Sequence, residues 1–151
     1  MTNKPDRAYS ATGIDGKESA GIIKLPCFHD HRGSLTVVEQ LRAVPFRIER
    51  AFWIFGVPSG RGRGGHAHRK YTQLLVAVSG SFTVILDDGE DSRQFHLDSP
   101  SEGLLVPPGV WNILENFSDG AVCLVLVSGP YEESEYIREY DDFRLFNSSK
   151  N

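Results

Sequence analysis

Two histidines one residue apart follow a glycine-rich stretch in RGGHAHRKYTQ, residues 63–73. Side chains at positions i and i+2 of a β-strand point to the same face, so His66 and His68 can serve one site. Imidazole is a common metal ligand, and when it is neutral it is also a general base near pH 7. The pair therefore predicts either a metal centre or an acid–base site, and the remaining ligands decide between the two.

Basic residues surround the pair, although the whole chain carries a formal net charge of −4. From residue 32 to residue 70 only Glu39 and Glu49 oppose eight basic side chains, which are Arg32, Arg42, Arg47, Arg50, Arg61, Arg63, Arg69 and Lys70. Guanidinium groups match phosphate oxygens two at a time, so this half of the chain suits a small anionic ligand such as a phosphate ester. The net negative charge argues against general nucleic-acid binding.

Short β-branched and aromatic segments separated by turn residues must position these side chains. They cover residues 34–40, 46–57, 71–78, 81–86, 93–97, 103–107, 110–114 and 121–129. Such spacing, with no helical periodicity between the segments, predicts an all-β jelly roll or barrel. Residues 132–146 alone have a helical period, which predicts a short C-terminal helix or else an extended tail packed on the barrel.

The 151 residues fit one domain with a hydrophobic core. We expect a flexible polar leader over 1–21, the barrel domain over 22–146 and a C-terminal tail over 147–151. No apolar run approaches the roughly 20 residues that cross a bilayer. The leader has no apolar core of a secretory signal, so we expect a cytoplasmic protein with no membrane partner.

The histidine segment resembles the first motif of the cupin superfamily, a group of jelly-roll barrels. That motif supplies two histidines and an acidic metal ligand, and here Gln73 stands where the acid belongs. The second cupin motif supplies a third histidine, and in PPGVWN, residues 107–112, Asn112 occupies that position. Of the four ligands that the resemblance implies, two are present.

Two neutral imidazoles leave a divalent cation without an anionic ligand and with an incomplete shell, and nearby arginines add repulsion. We therefore predict no metal and no cofactor. Positive neighbours also hold an imidazole neutral. His66 and His68 are then expected to act as catalytic bases that move a proton.

Four further segments narrow the resemblance. Residues 32–40, 63–89, 97–112 and 136–143 together resemble the sugar 3,4-ketoisomerases of deoxysugar biosynthesis, including lipopolysaccharide and other glycan pathways. The resemblance implies a homodimer, with strand exchange as one route to pairing. It also implies a dTDP-linked 4-keto-6-deoxy sugar as substrate and an enediol(ate) intermediate that needs no redox cofactor.

On this interpretation the candidate substrate-binding residues are Arg32, Arg61 and Arg63 for the pyrophosphate, and Gln73, Trp111 and Asn112 for the sugar. Trp53 is a second flat surface for a sugar or thymine ring. Related enzymes often place tyrosines on the strand that here reads FWIF, residues 52–55, so another group must supply any phenol. Two alternatives with the same ligand stay open: a 3,5-epimerase of the same sugars, and a non-catalytic nucleotide-sugar-binding cupin. A third, a metal-dependent cupin oxygenase, would require about one iron, manganese or zinc ion per chain.

Overall fold

Two antiparallel β-sheets form most of the structure, a computed structural model that describes residues 19–150. In chain order its strands are β1 (Gly21–Lys24), β2 (Cys27–Asp30), β3 (Gly33–Thr36), β4 (Arg50–Phe55), β5 (Arg63–His68), β6 (Gln73–Ser79), β7 (Phe82–Asp87), β8 (Ser92–Leu97), β9 (Glu102–Val106), β10 (Trp111–Glu115), β11 (Val122–Val127) and β12 (Tyr136–Ile137). One sheet has the order β1-β9-β6-β11-β4 and the other β12-β5-β10-β7-β8, while β2 and β3 form a separate hairpin. The predicted all-β cupin-like fold is confirmed.

The main core lies between the two sheets, where alternate residues of each strand point inward. Its fully or nearly fully buried side chains include Leu75, Phe82, Val84, Leu104, Cys123 and Val127. On β4 the alternation is clear, because Phe52 and Ile54 pack against this core whereas Trp53 and Phe55 are exposed. The inward-facing residues of the barrel therefore form one continuous wall.

Each sheet is also covered on its outer face. A second cluster, which includes Val44, Phe46, Leu74 and Leu105, covers the first sheet with residues of the 37–48 segment. A third cluster, made of Ala67, Trp111, Ile137 and Phe143, joins the second sheet to the helix α1 (Tyr140–Ser148). The short helix that the sequence predicts is thus present and closes one outer face of the barrel.

The eight segments predicted as strands correspond to β3, β4 and β6 to β11, and β5 carries the histidine pair. The periodicity missed β1, β2 and β12, each four residues or fewer. Over residues 132–146 the chain forms a 3-10 turn (Glu133–Glu135), then β12, and only then α1, because Tyr136 and Ile137 pair with the edge of β5. The predicted leader falls almost wholly outside the described residues, and its last residue, Gly21, begins β1.

A bulge in β5 sets the direction of the histidine strand. Asn112 of β10 lies opposite His66, but the next residue, Ile113, lies opposite Gly64, so the register shifts by one residue. Gly64 has a φ of +84°, and a Cβ there would lie 2.9 Å from the carbonyl oxygen of Asn112. Gly65 has a φ of +77° with open space around it. Position 64 requires both a positive φ and the absence of a Cβ, and only glycine meets both requirements.

We predict that Gly64→Ala lowers the free energy of unfolding by about 2–3 kcal/mol, because backbone strain and steric overlap add. Gly65→Ala is the matched control, since it carries the strain without the overlap and should cost about 1–2 kcal/mol. Urea denaturation of the three proteins measures both values. Equal losses in the two variants would contradict the close approach at Asn112.

Candidate active site

Strand β5 runs between β10 and β12, and this position brings four polar side chains to the inner face of the barrel. His66 lies opposite Asn112 on one side, and His68 lies opposite Tyr136 on the other. Directly opposed residues of antiparallel strands point to the same face. The two histidines, the amide and the phenol are therefore neighbours although they come from three separate parts of the sequence.

The aromatic rings of this group are close together. The ring centroids of His66 and His68 are 5.5 Å apart, and that of Tyr136 is 5.1 Å from His66 and 4.6 Å from His68. Asn112 donates a hydrogen bond from Nδ2 to the backbone oxygen of His66 at 3.2 Å, which ties the amide to the histidine strand. The strand pairing thus fixes the spacing between the imidazoles and the phenol.

A cavity of about 430 Å³ opens beside this group. Its apolar wall includes Phe52, Ile54, Leu75, Leu114 and Val125. Its polar wall is formed by Arg63, His66, Gln73, Asn112, Tyr136 and Arg138. The volume lies within the roughly 300–1,000 Å³ of small-molecule sites, and polar groups that converge in an apolar cleft are typical of them.

The two histidines differ in access to this cavity. His66 lines it, whereas His68 is 3% exposed and is absent from the lining residues. Gln73, which does line the cavity, places its amide Nε2 2.7 Å from Nε2 of His68. His66 can therefore reach a bound ligand directly, and His68 meets the cavity only through the Gln73 amide.

Both imidazoles are neutral at pH 7. Burial lowers the pKa of His66 to about 4, with further contributions from the charge that His68 would carry if it were protonated and from the charge of Arg138. Burial, with the charges of Arg50 and Arg138, lowers the pKa of His68 to about 4. Glu135 lies 3.5 Å from Nδ1 of His68, but its carboxylate already accepts two backbone N–H groups, so we take burial and the arginines to prevail.

Two arginines flank the phenol of Tyr136. Arg50 donates a hydrogen bond to the phenol oxygen at 3.1 Å, and the guanidinium of Arg138 lies 4.5 Å from the ring centroid. Arg138 is held in place by an ion pair with Glu133 at 2.7 Å. Because the phenol oxygen accepts from Arg50, its own hydrogen remains to donate, and positive charge stands ready to stabilise an anion beside it.

Comparison with known proteins places this site in a family. Residues 18–148 match the family model described as "FdtA: WxcM-like, C-terminal". The chain belongs to this family. It is 44% identical to the TDP-4-oxo-6-deoxy-alpha-D-glucose-3,4-oxoisomerase of Aneurinibacillus thermoaerophilus over 125 residues, which are 83% of this chain and 90% of the relative.

Solved structures give the same assignment. A 3,4-ketoisomerase from Helicobacter canadensis superposes with a TM-score of 0.83 at 37% identity, covering 85% of this chain and 97% of that one. The sugar 3,4-ketoisomerase QdtA from Thermoanaerobacterium thermosaccharolyticum, in complex with TDP, has a TM-score of 0.85 at 34% identity, with 87% and 96% covered. A histidine-to-asparagine mutant of QdtA, in complex with TDP-4-keto-6-deoxyglucose, has a TM-score of 0.84 at 34% identity, with 87% and 95% covered.

The predicted site residues of this FdtA-family chain divide into two groups. The structure brings His66, Gln73, Asn112 and Arg63 to the cavity, with His68 directly behind Gln73. Arg63 also lines an adjoining cavity of about 510 Å³, which Arg61 and Trp53 border. The two cavities share Phe52, Ile54, Gly62 and Arg63, so they lie next to each other.

Arg32 and Trp111 line neither cavity. Arg32 lies at the exposed tip of the β2–β3 hairpin, where it is ion-paired with Asp30. Trp111 packs with Phe143 and Tyr140 under α1, because it precedes Asn112 on β10 and strand alternation turns it to the opposite face. The Trp111 indole therefore faces away from both cavities, and this position does not agree with the predicted contact with a sugar or thymine ring.

Sequence reasoning missed Tyr136, Arg138 and Arg50 as site residues. The segment 136–143 resembled the family, but its helical periodicity hid the two-residue strand that carries Tyr136 into the site. Arg50 is the first residue of β4. Its alternation with Phe52 and Ile54, which face the core, was the signal that could have placed it on the inner face. Tyr136 places a phenol at the cavity beside His66, whereas the FWIF strand has none.

The donor set bears on metal binding. Two imidazoles and two amides, those of Gln73 and Asn112, contain no anionic oxygen or sulfur ligand. Within residues 19–150 no group of three or more His, Cys, Asp or Glu side chains is placed to hold a metal ion. These residues do not fit a bound divalent cation, and metal-free chemistry stays a prediction for elemental analysis of the purified protein.

We predict that His66 and His68 titrate near pH 4, well below the ordinary value of 6.5. The unfolded chain binds these protons near pH 6.5, so the free energy of unfolding should fall as the pH is lowered from about 6.5 towards 4. NMR titration of the ring C–H signals, assigned with the single His→Asn variants, measures the midpoints. Midpoints of both rings near 6.5 would show that the cavity does not keep them neutral.

Proposed function

We propose that the protein is a 3,4-ketoisomerase that moves the keto group of a dTDP-linked 4-keto-6-deoxy hexose from C4 to C3. The observation that carries the proposal is that a neutral histidine, His66, and a phenol, Tyr136, face one cavity. The family relatives support the substrate class, since they include TDP-sugar ketoisomerases and complexes with TDP and TDP-4-keto-6-deoxyglucose.

The reaction needs one base and groups that stabilise an oxyanion. His66 takes the proton from C3, which the neighbouring C4 carbonyl acidifies, and the electron pair of the C3–H bond forms the C3–C4 double bond. Negative charge collects on the C4 oxygen, where the phenol of Tyr136 donates a hydrogen bond. The C4 oxygen then takes up a proton as the C3 hydroxyl loses one, and C4 receives a proton from the His66 imidazolium, which has exchanged with solvent. The ketone then stands at C3. C3 is oxidised and C4 is reduced, so no external oxidant enters the balance.

Arg50 and Arg138 assist through Tyr136. Their positive charges beside the phenol stabilise negative charge that develops on it or next to it. General acid–base assistance contributes roughly 10²–10⁴-fold, and one prearranged donor to an oxyanion about 10²–10³-fold. The histidine and the phenol that face this cavity thus account for two of the large contributions to the rate enhancement.

The adjoining cavity suits the nucleotide. Arg61 and Arg63 supply guanidinium groups for the pyrophosphate, and Trp53 supplies a flat apolar surface for the thymine ring. Because Arg63 borders both cavities, the pyrophosphate would lie where they meet and the sugar would extend towards His66. Gln73 and Asn112 are placed to hydrogen-bond the sugar.

We predict that His66→Asn lowers kcat by about 10²–10⁴-fold and that Tyr136→Phe lowers it by about 10²-fold. Both variants should bind dTDP within about threefold of wild type by calorimetry, because the proposed nucleotide contacts are unchanged. Tyr140→Phe is the control, since that phenol bonds to Asp87 near α1 and lines neither cavity. Full activity of His66→Asn on dTDP-4-keto-6-deoxyglucose would show that His66 is not the base.

Product NMR in D2O separates this reaction from the two alternatives. A 3,4-ketoisomerase yields a C3 ketone with deuterium at C4, whereas a 3,5-epimerase leaves the ketone at C4 and exchanges C3 and C5. A non-catalytic binding protein would bind dTDP and leave the sugar unchanged. The family assignment favours the ketoisomerase.

We further propose a homodimer. On the β2–β3 hairpin Phe28 lies opposite Leu35, and both side chains are exposed, at 39% and 59%. An exposed apolar hairpin is a surface that a second copy would cover, by strand exchange or by docking. Such a dimer would also carry Arg32, at the hairpin tip, towards the partner subunit.

Sedimentation should give a mass of two 16.8 kDa chains. We predict that Phe28→Ser combined with Leu35→Ser weakens the dimer at least tenfold, because it removes the apolar face of the hairpin. Leu145→Ser is the matched control, as that side chain is 68% exposed on α1. A monomeric wild type at micromolar concentration would contradict the proposal.

A role in deoxysugar biosynthesis for glycans and a cytoplasmic location complete the proposal. Both cysteines, Cys27 and Cys123, are free thiols, which agrees with a reducing compartment. No helix in the described part of the chain has the length and hydropathy to cross a membrane. Cell fractionation tests the location.

A further inference from the structure

A buried carboxylate lies directly behind the site. Glu135 ends the 3-10 turn before β12 and is 4% exposed. Its Oε2 accepts hydrogen bonds from the backbone N–H groups of Lys70 and Tyr71, each at 3.0 Å. Carboxylates are rarely buried unless they are paired. These two bonds fix the position of Oε2 at the end of the histidine strand.

The same oxygen faces a histidine nitrogen that lacks a hydrogen-bond partner. Nδ1 of His68 is buried, is 3.5 Å from Oε2 of Glu135, and makes no hydrogen bond to any residue from 19 to 150. The other ring nitrogen, Nε2, is 2.7 Å from the amide Nε2 of Gln73. A neutral imidazole carries one hydrogen, so only one of its nitrogens donates.

The carboxylate of Glu135 makes the two possible tautomers of His68 unequal in energy. A hydrogen on Nδ1 places partial positive charge 3.5 Å or less from the carboxylate and leaves Nε2 free to accept from the Gln73 amide N–H. A hydrogen on Nε2 would aim a nitrogen lone pair at a buried carboxylate and would require the Gln73 amide to turn over. Lone pairs that face each other in a dry interior are unfavourable, so the first arrangement is favoured.

We propose that Glu135 is a positioning residue that keeps the proton of His68 on Nδ1 and thereby sets the orientation of the Gln73 amide. Gln73 lines the cavity, and with its N–H bound to His68 it offers its carbonyl oxygen to the ligand. That oxygen accepts a hydrogen bond from a hydroxyl of the bound sugar, a step that rests on the proposed function. Glu135 thus selects for a ligand that donates at this point.

The tautomer is tested first, in the ligand-free full-length protein labelled with ¹⁵N. Long-range ¹H–¹⁵N spectra at pH 7.5 should show a protonated Nδ1 and an unprotonated Nε2 for His68, assigned by loss of the signals in His68→Asn. In Glu135→Gln, which keeps an oxygen for the two backbone N–H groups but loses the charge, the protonated fraction of Nδ1 should fall. Glu139→Gln, an exposed carboxylate nearby, should leave the spectrum unchanged.

Two results would overturn the proposal: an Nε2-protonated His68 in the wild type, or an unaltered spectrum in Glu135→Gln. This measurement needs no turnover, so it stands apart from the proposed ketoisomerase activity. If dTDP-4-keto-6-deoxyglucose is not converted, the proposed function fails while the spectra still decide the role of Glu135.

A double-mutant cycle tests the link to the ligand. Glu135→Gln should lower kcat/KM by about tenfold, and Gln73→Leu by a similar factor. If Glu135 acts through Gln73, adding Glu135→Gln to Gln73→Leu should cost less than about twofold more. Thermal unfolding of each variant serves as the stability control. Fully multiplicative losses would show that Glu135 does not act through the Gln73 amide.

Discussion

The pairing of β5 with β10 on one side and β12 on the other is the constraint on which the site depends. Side chains alternate along a strand, so a slip of one residue would move His66 and His68 to the outer face and bring Ala67 inside. The bulge at Gly64 fixes this register through a close approach that admits no side chain. On the outer face, Ala67 packs with Trp111 and Phe143 under α1, so the same register buries an apolar cluster. Core packing and site geometry are therefore set by one strand alignment.

This alignment places bases in a setting that keeps them uncharged. An apolar wall on one side and arginines on the other both disfavour the imidazolium. The same arginines favour negative charge at the phenol of Tyr136. This cavity disfavours protonation of the imidazole nitrogens and stabilises negative charge on an oxygen, and both effects suit the formation of an enediolate. The basic half of the chain, residues 32–70, thus supplies Arg50 to this site and Arg63 to the cavity proposed for the nucleotide.

Much of this could be predicted from the sequence, because the relevant signals are local. Alternation and turn residues gave most of the strands, and the histidine pair with Gln73 and Asn112 gave one side of the site. Tyr136 could not be predicted, because two residues cannot establish a period and their strand exists only by pairing with β5. The orientation of Trp111 could have been predicted, since Trp111 precedes Asn112 on a strand and must face the other side of the sheet. The position of Arg32 depends on contacts of the hairpin that a single sequence does not define.

The two amides at the positions of cupin metal ligands each have a hydrogen-bond partner in the barrel. A polar side chain that is buried in a dry interior needs such a partner. Asn112 finds this partner in the backbone oxygen of His66, and Gln73 finds it in the ring of His68. His68 in turn adjoins Glu135, which is anchored to the backbone after β5. These hydrogen bonds fix the positions of both amides, and they leave the His66 imidazole facing the cavity.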